Sequence, residues 1–282
     1  MKRIVFISVM FMNLISYPLL SQNSNIFSYK VGDLEVIMLS ENQGKGNASI
    51  LLNVTDQIKS ETMPDGSFPN AVCAFVVKGK DKNVLIDTGF GRNLFDNLRE
   101  VGLSAKDIDE VLLTHLHGDH IGGLVFNNDA AFINAKLHIA KKEYDYWRET
   151  DEKVMDKMGY YTGSISLFDA GSFSAMTPIV DGIYAIAALG HTPGHTMFMI
   201  ESSGKRLLIW GDLAHAMAVQ MPYPEVSVTY DVDPDLAKES RKEVLEYVVK
   251  NKIPVGGMHI AYPGIGKIEK NGKGGYKFTG SK

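Results

Sequence analysis

Short apolar runs separated by turn residues dominate the first half of the chain. "LEVIML" (34–39) and "AVCAFVV" (71–77) predict strands, and "GKDKN" predicts a hairpin turn into a third strand at 84–89. Residues 93–101 have helical spacing, whereas "EVLLT" (110–114) has the length of a short buried strand. The first half therefore reads mainly as strands, and polar residues follow the ends of several of them.

The second half alternates between strands and helices. Residues 141–147 continue as an aromatic helical segment, and the clearest helix covers 233–250, where Asp233 can cap the first turn and Pro234 suits it. Further strands are predicted at 136–140, 184–189 and 206–210. Mixed strands and helices of this kind predict a layered α/β architecture.

The first 21 residues have a pattern of their own. Lys2 and Arg3 precede an apolar stretch at 4–15, and the small Ser21 precedes a polar segment. This order is typical of a secretory signal peptide, and the apolar stretch is short for a membrane span. The sequence therefore predicts cleavage near Ser21, one domain over 22–282, and a periplasmic or secreted protein without a stable membrane anchor.

Composition narrows the range of partners. Without the predicted signal peptide the chain has 27 basic and 33 acidic residues, and this negative excess disfavours a nucleic-acid partner. Cys73 is the only cysteine, so no intrachain disulfide can form, and its apolar surroundings predict a buried thiol. The composition leaves a homodimer open.

The most informative motif is "HLHGDH", which follows the strand-like "EVLLT". His115 and His117 are two positions apart, so they can point the same way on leaving the strand and bind one ion. Gly118 permits a tight turn, after which Asp119 and His120 can face a second ion. Three histidines at this spacing make a loop of merely solvated polar residues a poor explanation.

Three more predicted strand ends carry side chains of the ligand type. His195 closes "GHTPGH", Asp212 closes "IWGD", and His259 follows "VGGM". Each is ambiguous alone, because a lone histidine is often structural and an aspartate after a strand often caps a helix. Together with "HLHGDH" they make five histidines and two carboxylates, a set that suits zinc or a similar divalent ion.

This set resembles that of the metallo-β-lactamase superfamily, whose signature is H-x-H-x-D-H followed by His, Asp and His at separate strand ends. The resemblance covers essentially all of 22–282 and implies an αββα sandwich, two mixed β-sheets flanked by helices with the site between them. It implies two divalent ions, Zn²⁺ by default, with Mn²⁺, Co²⁺ and Fe²⁺ as alternatives. The ligands so implied are His115, His117 and His195 for one ion, Asp119, His120 and His259 for the other, and Asp212 as the bridge.

Two longer stretches resemble one branch of this superfamily. "WGDLAHAMAVQMPYPEVSVTYDVDP" (210–234) and "HIAYPGIGKI" (259–268) are similar to the methyl parathion hydrolase-like branch, which is related to the acyl-homoserine lactonases. The resemblance implies an exported hydrolase in which a metal-bridging hydroxide cleaves small-molecule lactones or aryl esters, with phosphotriesters as further candidates. A thioester hydrolase of the glyoxalase II type or a β-lactamase is the alternative enzyme, and a metal-binding protein without turnover is the non-enzyme alternative.

Other residues are candidates for supporting roles. Asp87 in "LIDTG" matches the superfamily's early aspartate and would accept a hydrogen bond from a ligand histidine, the alternative being a simple turn. Asp119 and His215 are the predicted catalytic residues. His215 would stabilise an oxyanion or protonate the leaving group, with a structural role as the alternative. His191 is expected to shape its loop, and His138 to be packed in the fold.

Aromatic residues are expected to select the substrate. An aromatic pocket suits lactones, aryl esters and neutral phosphotriesters better than phosphomonoesters, which would need arginine. Core packing explains any one aromatic residue equally well. The predicted pocket residues are Phe68, Phe90, Trp147 and Phe168.

Overall fold

The computed structural model of the protein describes residues 25–282, so the predicted signal peptide lies outside the described residues. The strands are β1 (Ile26–Val31), β2 (Leu34–Asn47), β3 (Leu51–Leu52), β4 (Ser67–Lys78), β5 (Asn83–Ile86), β6 (Glu110–Leu112), β7 (Val125–Phe126), β8 (Asp129–Ala130), β9 (Lys136–Ala140), β10 (Ile165–Phe168), β11 (Thr177–Val180), β12 (Ile183–Ala187), β13 (Thr196–Ser202), β14 (Lys205–Ile209), β15 (Ser227–Val228), β16 (Val255–Gly256), β17 (Ile265–Lys270) and β18 (Tyr276–Gly280).

Helices connect these strands and cover the outer faces of the sheets. The α-helices are α1 (Asp56–Thr62), α2 (Leu94–Glu100), α3 (Gly118–Ile121), α4 (Lys141–Thr150), α5 (Glu152–Gly159), α6 (Met217–Gln220) and α7 (Pro234–Asn251). Short 3₁₀ turns lie at Ala48–Ile50, Ala105–Asp107 and Gly122–Leu124. Among residues 25–282, none of the helices has both the length and the apolar character that crossing a bilayer requires.

Two seven-stranded sheets form the centre of the fold. The first has the order β1-β2-β4-β5-β6-β9-β10, and the second has the order β11-β12-β13-β14-β16-β17-β18. Parallel pairs such as β5–β6 and β14–β16 lie beside antiparallel pairs in the same sheets. Both sheets are therefore mixed, and the predicted α/β class with two mixed sheets is confirmed.

Apolar side chains fill three successive layers. Residues of both sheets, including Phe75 and Phe198, pack together in the middle, where Cys73 is buried as predicted. Leu98 of α2 packs against the outer face of the first sheet, and Val244 of α7 packs against that of the second. Burying apolar surface on both faces of each sheet is what holds the αββα sandwich together.

The long hairpin of β2 and β4 goes beyond the prediction. The strands predicted at 34–39 and 71–77 extend to Asn47 and start at Ser67, respectively, and the pairing continues to the end. The register shifts between Ser40 and Asn42, which is a bulge that bends the hairpin. The outer part of the hairpin is largely exposed and polar, so apolar periodicity could not reveal it.

The helix predicted at 233–250 forms as α7. Its first turn is capped by Asp233, whose Oδ1 accepts a hydrogen bond from Leu236 N at 3.0 Å, and Pro234 occupies the first helical position. The helix ends at Lys252 in a left-handed conformation. Asp233 N also donates to Gly190 O at 2.9 Å, so the start of α7 is joined to the "GHTPGH" loop.

The strand order brings the candidate residues to one edge of the sandwich. Asp87 follows β5, the "HLHGDH" loop follows β6, Asp212 follows β14, and His259 comes three residues after β16. Carboxyl ends of neighbouring parallel strands meet at the same edge of a sheet, and ligand sites form there. The fold therefore collects residues that are far apart in sequence.

Candidate metal centre

Three histidines from two loops meet at this edge. His115 Nε2 lies 2.9 Å from His117 Nδ1, which lies 3.0 Å from His191 Nε2. The Nε2 atoms of His115 and His191 are 3.2 Å apart. Asp212 Oδ2 completes the group at 3.7 Å from His115 Nε2 and 3.5 Å from His191 Nε2. We call His115, His117 and His191 subsite A.

A second group lies on the other side of Asp212. His120 Nε2 is 3.7 Å from Asp119 Oδ1, and His259 Nε2 is 3.5 Å from Asp119 Oδ2. Asp212 Oδ2 lies 3.2 Å from His120 Nε2 and 3.0 Å from His259 Nε2. We call Asp119, His120 and His259 subsite B. One carboxylate oxygen thus faces both subsites.

In three histidines, the outer ring nitrogen, which points away from the other ligands, is hydrogen-bonded to an acceptor. Nδ1 of His120 lies 2.7 Å from Asp87 Oδ2, that of His191 lies 2.9 Å from Asp231 Oδ1, and that of His259 lies 2.8 Å from Ala71 O. Since these oxygens only accept, the outer nitrogens carry protons. In the neutral His191 ring this leaves Nε2 as a bare lone pair directed into subsite A, where a cation can bind.

The ionisation of subsite A agrees with cation binding, and in subsite B the carboxylates favour a positive charge at the same place. Burial lowers the pKa of His117 to about 4 and holds that of His115 and His191 well below the ordinary value, so subsite A is neutral at neutral pH. Burial also acts to lower the pKa of His120, but Asp212 and other carboxylates outweigh it and raise the pKa. His120 Nε2 makes no hydrogen bond within residues 25–282. These donors fit two divalent cations of the zinc type.

The structure corrects the prediction for the "GHTPGH" loop. His195 was expected to be a ligand, but its Nδ1 bonds Ala188 O at 2.9 Å and its Nε2 accepts Asp212 N at 2.9 Å. Both ring nitrogens are therefore used within the protein. His191, which was expected only to shape the loop, takes the place in subsite A. The turn at Pro193–Gly194 reverses the chain, so His195 points behind Asp212 and His191 points at it.

Glu143 of α4 is a support that sequence reasoning missed. Its carboxylate accepts from Leu116 N at 3.0 Å and Gly194 N at 3.0 Å, and also from the Thr192 hydroxyl at 2.6 Å. It thereby fastens the "HLHGDH" loop to the "GHTPGH" loop. Its position on a charged helix gave no signal, because a glutamate there is usually solvated. Burial of a carboxylate is tolerated when its oxygens accept this many hydrogen bonds.

A pocket of about 580 Å³ opens over subsite B and Asp212. Three asparagines of the extended hairpin line one side, and Phe90 and Tyr230 lie among the residues of the other walls. No lysine or arginine is among the lining residues within the described part of the chain. His215 also lines it, with Nε2 3.0 Å from Asp212 Oδ2 and its ring stacked on His259 at 4.7 Å. The lining asparagines are Asn42, Asn47 and Asn70.

Three of the four aromatic residues predicted for the pocket lie elsewhere. Phe68 is 1% exposed and packs where a Cβ on Gly46 would stand, so the glycine leaves room for the ring inside the core. Phe168 packs on Phe198 between the sheets. Trp147 contacts the edge of His117 and is bound to Glu143, beneath the site. Only Phe90 lines the pocket, and the structure adds Tyr230, Ile50 and Val72.

Comparison with known sequences identifies the family. The metallo-beta-lactamase superfamily profile matches residues 68–251. Over 229 residues the chain is 24% identical to an N-acyl homoserine lactonase of Bacillus cereus, covering 68% of this chain and 83% of that protein. A Bacillus sp. N-acyl homoserine lactonase is 26% identical over 162 residues, 55% of this chain. The chain spans 57% of the length of that second relative.

Solved structures agree in fold. AidC, a dizinc quorum-quenching lactonase in complex with a product, N-hexnoyl-L-homoserine, superposes with a TM-score of 0.83 at 25% identity, over 92% of this chain and 98% of that one. AbOPH, a hydrolase of the beta lactamase superfamily, has the same fold with a TM-score of 0.83 at 23% identity, over 93% and 99%. The chain belongs to the metallo-beta-lactamase superfamily and is similar to its N-acyl homoserine lactonases.

Proposed function

We propose that the protein hydrolyses lactones and uncharged esters with two divalent metal ions, most simply zinc. The observation that carries this proposal is the convergence of five histidine nitrogens and two carboxylates below an open pocket. Subsite A would hold one ion, subsite B would hold the other, and Asp212 would contact both. When bound, such ions lower the pKa of water to make a nucleophile and polarise the attacked carbonyl.

The chain's own residues would orient the reaction. The carboxylate of Asp119 lies at the pocket floor, 3.5 Å from His259 Nε2, where it can accept a hydrogen bond from the attacking water. His215 faces the same space beside Asp212, so it is placed to give a proton to the leaving oxygen. Its Nδ1 is buried and has no hydrogen-bond partner within the described residues.

The pocket walls favour uncharged substrates. Since its lining carries no lysine or arginine within the described residues, a phosphomonoester dianion would find neither of these cations there and would be repelled by two aspartates. Apolar contacts from Phe90, Ile50 and Val72 suit an acyl or aryl group, and the asparagines can hydrogen-bond a polar group on it. Phosphotriesters are also uncharged, which makes them candidates for secondary activity in the manner of methyl parathion hydrolases.

The test is a hydrolysis panel with and without chelator. We expect turnover of acyl lactones and aryl esters that chelator abolishes and zinc restores, with weaker turnover of a neutral phosphotriester. A preference for thioesters or β-lactams would replace the proposed substrate class while keeping the metal centre. Turnover that persists without metal, or no turnover on the whole panel, would contradict the proposed function.

We also propose that the mature protein is exported to the periplasm or secreted. The support is the order of Lys2 and Arg3, the apolar stretch at 4–15 and the small Ser21. Expression of the full chain followed by N-terminal sequencing of the extracytoplasmic product should give a start at residue 22 or near it. A product retained in the cytoplasm with its original start would contradict this proposal.

A further inference from the structure

Arg241 is a buried charge on the inner face of α7. It is 1% exposed, and its neighbours on that face are Ala237, Val244, Leu245 and Val248. Arginine is rarely buried so completely unless its donors are used. Here Nε donates to Leu213 O at 2.8 Å, and one terminal nitrogen donates to Pro224 O and Val226 O at 2.8 and 2.9 Å.

The contacts of Arg241 lead to subsite A by two routes. Leu213, whose carbonyl it binds, directly follows Asp212. The other terminal nitrogen lies 3.9 Å from Asp231 Oδ2, and Asp231 Oδ1 is 2.9 Å from His191 Nδ1. The Arg241 guanidinium therefore binds the backbone next to Asp212. It also lies close to Asp231, the carboxylate that orients His191.

The segment between these contacts is irregular apart from the short α6 and β15, and it depends on side chains for its shape. Gln220 is fully buried, and its Oε1 accepts from His215 N and Ala216 N at 2.8 and 2.9 Å. Its Nε2 donates to Val226 O, the same carbonyl that Arg241 binds. The bound carbonyls fix the path of the chain from Asp212 to Asp231, because a buried segment without regular pairing needs such partners.

Subsite B is supported by a residue that follows a strand of the first seven-stranded sheet. Asp87 follows β5. Its carboxylate accepts hydrogen bonds from His120 Nδ1 and from the backbone N and the hydroxyl of Thr114. None of the contacts described for Arg241 involves Asp87, His120 or Asp119. The backbone of Asp212 is held by His195 as well as through Leu213. Loss of Arg241 should therefore disturb subsite A more than subsite B.

We propose that Arg241 is a positioning residue that sets the affinity of subsite A for its ion by holding Asp231 against His191. The proposal deepens the proposed function and rests on its two-metal site. Carboxylates that orient a ligand histidine are typically worth about 10–100-fold in metal affinity. The positive charge of Arg241, 3.9 Å from Asp231 Oδ2, stabilises the ionised form of this buried carboxylate, whose Oδ2 also accepts from Val228 N at 3.0 Å.

The test measures stepwise zinc affinity by chelator competition on the full mature chain. Arg241→Met should weaken one of two zinc ions by about 10–100-fold and the other by less than about threefold. Arg241→Lys should be intermediate, since an ammonium keeps the charge but has all its donors on one nitrogen and cannot reproduce the separated donors of the guanidinium. Cobalt absorption spectra of His191→Ala and His120→Ala provide references, and the Arg241→Met spectrum should resemble that of His191→Ala.

Asp231→Asn is the second variant, because it leaves the three carbonyl contacts of Arg241 in place and should fold where Arg241→Met fails to fold. It should weaken the same zinc ion, and combining it with Arg241→Met should add little. Glu110→Gln, a buried change far from the site, is the matched control and should leave both zinc affinities unchanged.

The role of Arg241 would be overturned if Arg241→Met weakened the binding of both zinc ions equally, or if neither Arg241→Met nor Asp231→Asn weakened zinc binding. Either result would leave the proposed function intact. A wild-type protein that holds fewer than two zinc ions would defeat the proposed function, and this inference with it.

Discussion

Two buried histidine groups in this molecule have opposite character. At the metal centre, one ring nitrogen of each of His115, His117 and His191 faces the other two within 3.2 Å. In the other group, His138 Nε2 lies 2.7 Å from Glu110 Oε2, and Lys82 pairs with the second oxygen of that carboxylate. The first group places its ring nitrogens together as the ligands of one cation would lie, whereas each polar group of the second has a partner of its own.

The difference shows what identifies a metal centre in a folded chain. Burial does not, because His138 is 6% exposed and His259 is 5% exposed. The deciding feature is that one nitrogen of each ring points at the other ligands, an orientation that Asp87, Asp231 and Ala71 O fix from outside for three of them. A histidine whose two nitrogens both bond backbone groups, such as His195, has no nitrogen left for a metal.

The largest difference is expected between two single variants, one that removes a histidine of the metal centre and one that removes His138. His120→Ala should lower chelator-sensitive turnover by at least about 100-fold, since it removes a ligand of subsite B. His138→Ala should leave turnover per folded molecule unchanged and lower only the free energy of unfolding. Kinetics with circular dichroism on both variants checks this. Similar losses of turnover in the two variants would break the comparison.

The next prediction separates the two histidines of the "GHTPGH" loop. His191→Ala should reduce bound zinc from about two ions per chain to about one, because subsite A loses a ligand. His195→Ala should keep about two zinc ions but lower stability by about 2–4 kcal/mol, through a cavity and the lost hydrogen bonds to Ala188 and Asp212. Metal analysis and urea unfolding measure these quantities. The reverse pattern would restore His195 as the ligand.

Asp87→Asn is expected to have a smaller effect. Asp87 Oδ2 accepts from His120 Nδ1, and an amide in its place can present a donor to that nitrogen and disturb the tautomer. Zinc affinity of subsite B should fall by about 10–100-fold while subsite A changes little. Chelator competition measures both. An unchanged affinity of subsite B would show that Asp87 acts only in its turn.

The smallest effect is expected for the group of His138, Glu110 and Lys82, whose contribution to the free energy of unfolding should depend on pH. Burial acts to raise the pKa of Glu110, but Lys82 and His138 outweigh it and hold the pKa below the ordinary 4.5. This stabilisation is present above that ordinary value and is lost as pH falls through the lower folded pKa. Glu110→Gln should therefore cost about 1 kcal/mol at neutral pH and less in acid. Urea unfolding at neutral and at acidic pH measures the loss of stability in the variant. An equal loss at both pH values would contradict a lowered pKa of Glu110.

Periodicity predicted the elements that carry apolar faces and missed those that do not. Strands at 136–140 and 206–210 and the helix at 233–250 were located closely, because their cores follow a regular pattern. The outer half of the β2–β4 hairpin is polar and exposed, so it gave no signal although it forms a pocket wall. Arg241 was missed because a charged residue on a helix is ordinarily assigned to the solvent face.

The candidate site could be predicted where the motif itself fixes the geometry. In "HLHGDH" the spacing determines which side chains face the site, and the structure brings His115, His117, Asp119 and His120 together. In "GHTPGH" two histidines flank a turn, and only the folded turn decides which one points inward. Asp231 and Glu143 are distant in sequence from the residues they hold, so their roles depend on tertiary packing.

The central claim is that subsites A and B together hold two divalent ions. Its most direct test is the metal content of the folded chain after equilibration with zinc and removal of free metal, measured by mass spectrometry. The account predicts about two zinc ions per chain, falling to about one in His191→Ala and staying near two in His195→Ala. Fewer than one tightly held ion in the unaltered chain would contradict it.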